Sequence, residues 1–107
     1  MTVYRGFVHS DRVGHQLVTR GEDILSPRPS QRLWNHSPTG FSWGYGGSGP
    51  AQLALALLYD VSKDKELSIK LHQDFKWDLV ARWKGDWKIT DEEIRTWLEM
   101  QTGVEVG

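Results

Sequence analysis

Residues 43–59, WGYGGSGPAQLALALLY, divide the chain into two parts of different character. The first half of this stretch is rich in glycine, and Pro50 suits the first turn of a helix because the N–H that it lacks has no helical partner there. The run that continues to Tyr59 is almost entirely Ala and Leu, and a helix that is apolar all round is a buried one. We therefore predict a central, buried helix over about 49–60, with the Gln52 side chain closing a capping box at its start.

The part of the chain before this stretch has the composition of β-structure. Two runs of β-forming residues flank Gly21, and a glycine in so short a connection predicts a tight hairpin. The proline-rich segment 26–30 predicts a turn, because proline fixes φ and removes a backbone donor. Residues 32–35 and 40–43 flank a loop of turn-forming residues, which predicts a second hairpin. The sequence thus predicts an antiparallel sheet of short strands over about 1–43.

The part of the chain after the central helix has the pattern of two further helices. Apolar residues recur there at every fourth position, at Leu67, Leu71, Phe75, Leu79 and Trp83. This spacing predicts an amphipathic helix over about 64–83. Residues 87–89 are predicted to be a short extended link. Thr90 and Glu93 have the spacing of a capping box, which predicts a third helix over about 90–101.

The order of these elements indicates the fold class. Strands that precede helices favour an α+β fold, in which the helices pack on one face of an antiparallel sheet. A chain of 107 residues has the length of one domain, so we predict a single domain over 1–107.

Composition excludes several classes of function. The chain has no cysteine, which excludes disulfides, thiolate metal sites and cysteine nucleophiles. The formal net charge of −1 removes a bulk electrostatic attraction to nucleic acid, so nucleic acid is a less favoured partner. No apolar run approaches the length of a membrane span, and the N-terminus lacks the pattern of a secretory signal. We therefore expect a cytoplasmic protein with no membrane partner.

The glycine-rich loop over 44–50 is a candidate anion site. A loop of this kind that feeds a helix N-terminus collects free backbone N–H groups, here those of Gly46, Gly47, Ser48 and Gly49. The loop matches the string G-x-G-x-x-G, but no βαβ unit surrounds it, and no Lys-Ser/Thr pair follows it as in a phosphate-binding P-loop. Three interpretations stay open: glycines that allow close packing, a site for a phosphate or nucleotide, and a contact loop for a macromolecule.

The six tryptophans exceed the needs of a small core. Trp83 and Trp97 lie on predicted apolar helix faces, so we assign them to the core. Trp, Tyr and Arg are enriched where proteins bind one another, and aromatic rings with Arg also stack on bases. The remaining candidates for an interface are Trp34, Trp43, Trp77, Trp87, Tyr45, Arg5 and Arg32.

No catalytic, metal or cofactor site is predicted. The four histidines, His9, His15, His36 and His72, lack the spacing of metal motifs. Ser48, His36 and Asp74 would make a triad on paper only, since the G-x-S-x-G elbow is missing. The carboxylates at 91–93 favour a helix start. An enzyme is therefore the less favoured class.

The block WGYGGSGPAQLALA at 43–56 resembles the signature of a family of small uncharacterised proteins from bacteria, plasmids and tailed phages. The resemblance extends to 36–41, 73–76 and 87–90. It implies a prokaryotic or phage origin and no particular activity. Small phage proteins are often accessory or anti-defence factors, such as inhibitors of host CRISPR or restriction systems. We therefore expect a protein that docks on a host macromolecule, with a phosphate- or nucleotide-binding module at 44–50 as the alternative.

Overall fold

The computed structural model describes residues 1–8 and 16–103. The strands are β1 (Val3–Phe7), β2 (Leu17–Arg20), β3 (Asp23–Ile24) and β4 (Trp87–Thr90). The helices are α1 (Arg28–Leu33), α2 (Ser48–Ser62), α3 (Lys65–Asp78) and α4 (Asp91–Thr102), with a short 3₁₀ turn at Val80–Arg82.

The sheet is antiparallel, and its strand order is β3-β2-β1-β4. Its first three strands come from the N-terminal part of the chain, as predicted. The fourth strand, β4, comes from the segment predicted to be only an extended link, and it pairs Ile89 with Tyr4 of β1. Strand β4 alternates buried and exposed residues, so the sheet uses its apolar side chains to extend the core.

The second predicted hairpin does not form. Residues 28–33 are the helix α1, and within the described chain neither 32–35 nor 40–43 contains a strand. Pro29 lies in the first turn of α1, where proline's fixed φ favours helix and its missing N–H costs nothing. The prolines that predicted a turn therefore start a helix instead.

Helix α2 forms the centre of the molecule. Eleven of its 15 residues are buried, as the all-round apolar pattern predicts. It packs against the other three helices and against the inner face of the sheet, which contributes Tyr4, Val18 and Ile89 to the same core. The Tyr4 hydroxyl donates a hydrogen bond to the Asp60 carboxylate at the far end of α2. The α+β class is confirmed, with the helices on one side of the sheet.

Helix α3 ends at Asp78, five residues before the predicted end. The backbone leaves the helix at Leu79 and continues as the 3₁₀ turn, whose Val80 carbonyl accepts a hydrogen bond from Gly44 N–H at 3.1 Å. The end of α3 at Asp78 thus leaves the Val80 carbonyl in position to bind the glycine-rich loop. Gly44 has a φ of +87°, and a side chain there would lie 2.9 Å from the Trp83 carbonyl, so this position requires glycine.

The predicted start of α4 is confirmed. The Thr90 hydroxyl accepts a hydrogen bond from Glu93 N–H at 3.1 Å, and the Glu93 carboxylate accepts one from Thr90 N–H at 3.2 Å. Together they form a capping box. In the described part of the chain no helix combines the length and the apolar character that crossing a membrane requires.

Candidate functional site

Among the residues that the structure describes, three aromatic side chains are more than half exposed. Trp34 is 51% exposed, Tyr45 54% and Trp77 56%. They come from three separate elements: Trp34 ends α1, Tyr45 lies in the glycine-rich loop, and Trp77 lies in the last turn of α3. All three were predicted as interface residues on sequence grounds.

A pair of histidines supports the first of these rings. The Nε2 atoms of His36 and His72 lie 2.8 Å apart, and the Nδ1 atom of His72 lies 2.6 Å from the Ile69 carbonyl oxygen. Nδ1 of His72 must donate to that carbonyl, so its Nε2 accepts the proton of His36 Nε2. The Trp34 ring stacks on His36 with centroids 4.6 Å apart, and its edge contacts His72 at 5.6 Å.

Both histidines are held in the neutral form. Burial lowers the pKa of His72 below its usual value of 6.5, although backbone carbonyls at 68 and 69 act against the change. Burial also lowers the pKa of His36, and the neighbouring His72 and Lys76 lower it further. At neutral pH the pair therefore shares one hydrogen bond and carries no charge.

Lys76 lies one turn after His72 on α3 and is only 6% exposed. Its Nζ donates a hydrogen bond to the Gly46 carbonyl oxygen at 3.2 Å and lies 4.4 Å from the centroid of the Trp77 ring. Across residues 1–8 and 16–103, no carboxylate forms an ion pair with this ammonium. Lys76 therefore links the glycine-rich loop to α3 through a carbonyl and a ring face.

The glycines of the loop lie directly against the exposed rings. A Cβ added to Gly46 would overlap the Trp77 ring, and one added to Gly47 would overlap the Tyr45 ring. The Tyr45 hydroxyl is fixed in turn by a hydrogen bond of 2.8 Å to the Ser42 hydroxyl. The loop backbone thus serves as a platform on which two aromatic rings rest.

We call the three exposed rings and the residues that support them the aromatic face: Trp34, His36, His72, Lys76, Trp77, Tyr45 and Gly46. His72 and Lys76 are buried and lie one helical turn apart on α3. Trp34 is supported by the histidine pair, and Trp77 is supported by Lys76 and Gly46.

The backbone N–H groups of Gly46, Gly47, Ser48 and Gly49 have no acceptor within the described chain. The first turn of α2 gains no help from a side chain, since Gly47 is its N-cap and Pro50 has no N–H. These four groups border the aromatic face through Gly46. Backbone N–H groups without an acceptor at a helix N-terminus are the feature on which anion binding depends.

Gln52 fixes the segment that carries Trp34 and His36. Its Oε1 accepts hydrogen bonds from the N–H groups of His36 at 2.8 Å and Ser37 at 3.0 Å, while Nε2 donates to the Ser30 hydroxyl at 2.8 Å. The side chain is fully buried on α2. The predicted capping box at the start of α2 therefore does not form, because this side chain points away from the N-cap.

Two predicted interface residues lie in the core instead. Trp43 and Trp87 are buried, with their rings edge to face at 5.5 Å, and Trp87 stacks on Trp83 at 4.2 Å. Trp43 Nε1 donates to the Gly85 carbonyl at 2.8 Å. Phe41, Ser42 and Trp43 are all buried, so this segment does not alternate between core and surface as a strand would.

The two predicted arginines are exposed, and among the described residues neither is seen over an aromatic ring. Arg5 is on β1 between Thr19 and Lys88 of the neighbouring strands. Arg32 is on α1 and lines a shallow groove of about 470 Å³ with Arg28.

The other sequence candidates have simple outcomes. His9 and His15 fall outside the described residues. His36 bonds to His72 and not to Asp74, so the paper triad with Ser48 is not assembled. No cluster of three or more His, Asp or Glu that could hold a metal occurs in the described ranges.

Four residues of the site were missed by sequence reasoning: His72, Lys76, His36 and Gln52. The first two are four residues apart on a predicted helix, a spacing that places both on one face. The sequence signal for this face is that it is polar, whereas the neighbouring stripe of the same helix is apolar. Nothing in the sequence indicates that Gln52 contacts residues 15 to 22 positions earlier.

The fold and the site together define a small α+β protein that displays a preformed aromatic face. The model of DUF6166, a family of unknown function, matches residues 4–100. The chain belongs to this family. No match was found among curated proteins, and none among solved structures. Membership of an uncharacterised family is thereby confirmed, while the origin from a phage or plasmid stays a prediction.

Proposed function

We propose that this protein is a non-enzymatic binding protein, phage-related, that docks on a host macromolecule in the host cytoplasm through the aromatic face. The observation that carries the proposal is that three aromatic rings from three separate elements are more than half exposed, and that each is held by a defined contact. Large exposed apolar patches mark interaction sites in soluble proteins. Trp and Tyr are also the residues most enriched among those that dominate binding energy.

The rings are held in position before any partner arrives. Trp34 is stacked on His36, Trp77 lies between Lys76 and Gly46, and Tyr45 is bonded to Ser42. Side chains that are already ordered lose little conformational entropy on binding, which favours affinity. A docking surface requires such support, and a ring that is only exposed lacks it.

The target class follows from the resemblance of the 43–56 block to proteins of bacteria, plasmids and tailed phages. Small proteins that accompany phages act on host machinery, so a complex of a CRISPR or restriction system is the partner that we would test first. This choice rests on an association and not on a contact in the structure.

A comparative pull-down tests the proposal. Tagged wild-type protein and the double variant Trp34→Ala/Trp77→Ala are incubated with lysate of a bacterium that carries both kinds of defence system, and bound proteins are quantified by mass spectrometry. Ile24→Ala is the matched control, because Ile24 is an exposed apolar residue on β3, outside the aromatic face. We expect a partner that the control retains and the double variant loses at least tenfold. Equal recovery with all three proteins would remove the aromatic face from the proposal.

A second candidate function is a module for a phosphate or a nucleotide at the glycine-rich loop. The free N–H groups of Gly46, Gly47, Ser48 and Gly49 favour it. A thermal-shift screen against nucleotides and phosphorylated metabolites tests this candidate. If no compound raises the melting temperature, and Gly47→Ala changes stability alone, the loop has a structural role only.

A further inference from the structure

Lys76 is an unusual residue for its position. Lysine is almost never buried unless an acid pairs with it, yet this residue is only 6% exposed and has no carboxylate partner in the part of the chain that the structure describes. An ammonium carries three N–H donors, and only one of them is used, toward Gly46. The ring face of Trp77 compensates the charge partially.

The surroundings of this ammonium leave its charge unopposed. His36 and His72 are neutral at physiological pH because their pKa values are lowered. Asp74 precedes Lys76 by two residues, which turns it to the opposite side of α3. Asp78 accepts a hydrogen bond from the Trp97 indole and so faces α4.

A single, mostly buried cation therefore lies at the aromatic face, against the Trp77 ring. A complementary surface would carry one or a few acidic groups beside apolar side chains. Desolvated charges that find a partner across an interface strengthen specificity, and those left unpaired weaken binding.

We infer that the aromatic face binds an acidic segment of a partner protein, in which an Asp or Glu carboxylate pairs with Lys76 while adjacent apolar side chains pack on Trp34 and Trp77. The inference rests on the proposed function and names the chemistry of the partner. A carboxylate at this point would give Lys76 Nζ the charged acceptor that the described residues do not supply beside the Gly46 carbonyl.

A nucleic-acid strand fits the face less well. Such strands are bound by several cations that follow successive phosphates. The face offers one ammonium, and the whole chain has a formal net charge of −1. A protein segment needs only one carboxylate to pair with the ammonium of Lys76.

Selection from a random peptide library tests the inference while the partner is still unidentified. A displayed library of 12-residue peptides is panned against wild-type protein, Lys76→Met, Trp34→Ala/Trp77→Ala and Lys88→Met. Lys88 is an exposed lysine on β4 and provides the matched control for loss of one charge. The strongest peptide is then measured against each protein in acidic form and with its acids replaced by amides. Labelled dT12 is measured in parallel.

We expect peptides selected by the wild type and by Lys88→Met to be enriched in Asp or Glu next to apolar residues. Replacing the acids by amides should weaken binding to the wild type at least tenfold and should leave binding to Lys76→Met unchanged. Lys76→Arg keeps the charge and should retain most of the acid preference.

Other results have distinct meanings. Selection of apolar peptides without acids, equally by wild type and Lys76→Met, would overturn the inference and leave the aromatic face as a docking site. Failure to enrich any peptide, or enrichment that Trp34→Ala/Trp77→Ala does not reduce, would overturn both the inference and the proposed function. Binding of dT12 that depends on Lys76 and exceeds that of every peptide would assign the anion to a nucleic acid and overturn the inference.

Discussion

Replacing Gln52 by leucine tests whether one buried amide holds the aromatic face together. The substitution preserves the approximate size of the side chain but removes its oxygen and nitrogen. The Ser37 N–H loses its acceptor, and the Ser30 hydroxyl loses a donor. The His36 N–H loses its bond to Gln52 but keeps the Trp34 carbonyl at 3.1 Å as an acceptor. The change leaves the surface of the molecule untouched, because Gln52 is fully buried.

The magnitude follows from the groups left without partners. The Ser37 N–H, which loses its acceptor, costs about 1–3 kcal/mol, and the bonds lost by the His36 N–H and the Ser30 hydroxyl contribute about 1 kcal/mol each. The Ser30 hydroxyl still donates a hydrogen bond to the Pro27 carbonyl, so it keeps one partner. The added apolar surface of leucine returns about 1–2 kcal/mol. We therefore expect Gln52→Leu to lower the free energy of unfolding by about 1–4 kcal/mol, a large share of the stability of a small domain.

Urea unfolding followed by far-UV circular dichroism measures this change. Gln101→Leu is the matched control, since Gln101 is exposed on α4, and it should alter the free energy of unfolding by less than about 0.5 kcal/mol. Trp34 should also become more accessible to a fluorescence quencher in Gln52→Leu, because the segment beside it is released. A loss below about 1 kcal/mol, with unchanged quenching, would refute the idea that Gln52 fixes this segment.

Three further changes are expected to have measurable effects. Thr90→Ala should lower the free energy of unfolding by about 1 kcal/mol, because it removes the capping box of α4. Gly6→Ala should lower it by about 1–3 kcal/mol, because the added Cβ overlaps the indole of Trp87, which is itself buried. Lowering the pH from about 7.5 to about 5.5 should also lower the free energy of unfolding. The pKa values of His36 and His72 are lower in the folded protein than in the unfolded chain. As the pH falls, the unfolded chain therefore binds protons first and is stabilised.

Each of these changes has its own control, followed by the same urea titration. Thr96→Ala, at an exposed position of α4, should leave stability nearly unchanged. Gly6→Ala combined with Trp87→Phe should cost less than the two changes added together, because the smaller ring makes room; strict additivity would contradict the proposed overlap. The contribution of the histidine pair is complete above a pH of about 6.5 and is lost as the pH falls toward the lower, folded pKa values. His72→Gln should reduce this slope, and an unchanged slope would mean that other groups cause it.

The sequence predicts those parts of the fold whose signals are local. The buried helix α2 follows from its own composition, and the start of α4 follows from two residues three positions apart. Strand β4 was missed because four residues carry too little periodicity to distinguish a strand from a link. Its partner β1 lies more than eighty positions earlier, and such a pairing depends on the packed core and not on neighbouring residues.

The candidate site divides in the same way. Trp77 could be proposed as exposed because it falls off the apolar stripe of its helix. Trp34 and Trp43 could not be distinguished, since both were assigned to a hairpin that does not exist, and only the folded chain turns one outward and the other inward. The contact between His36 and His72 joins residues 36 positions apart, so no spacing in the sequence indicates it.

The glycines of the loop connect two of the interpretations that the sequence left open. Gly46 and Gly47 lack side chains at the points where the rings of Trp77 and Tyr45 rest, so close packing is one reason for glycine there. The packing brings the exposed rings onto the loop, which makes the same glycines part of a contact surface. Because their N–H groups have no acceptor among the described residues, a partner that covers the rings would also meet these donors. An acidic segment that reaches Lys76 can accept hydrogen bonds both from the Lys76 ammonium and from the N–H groups of the loop.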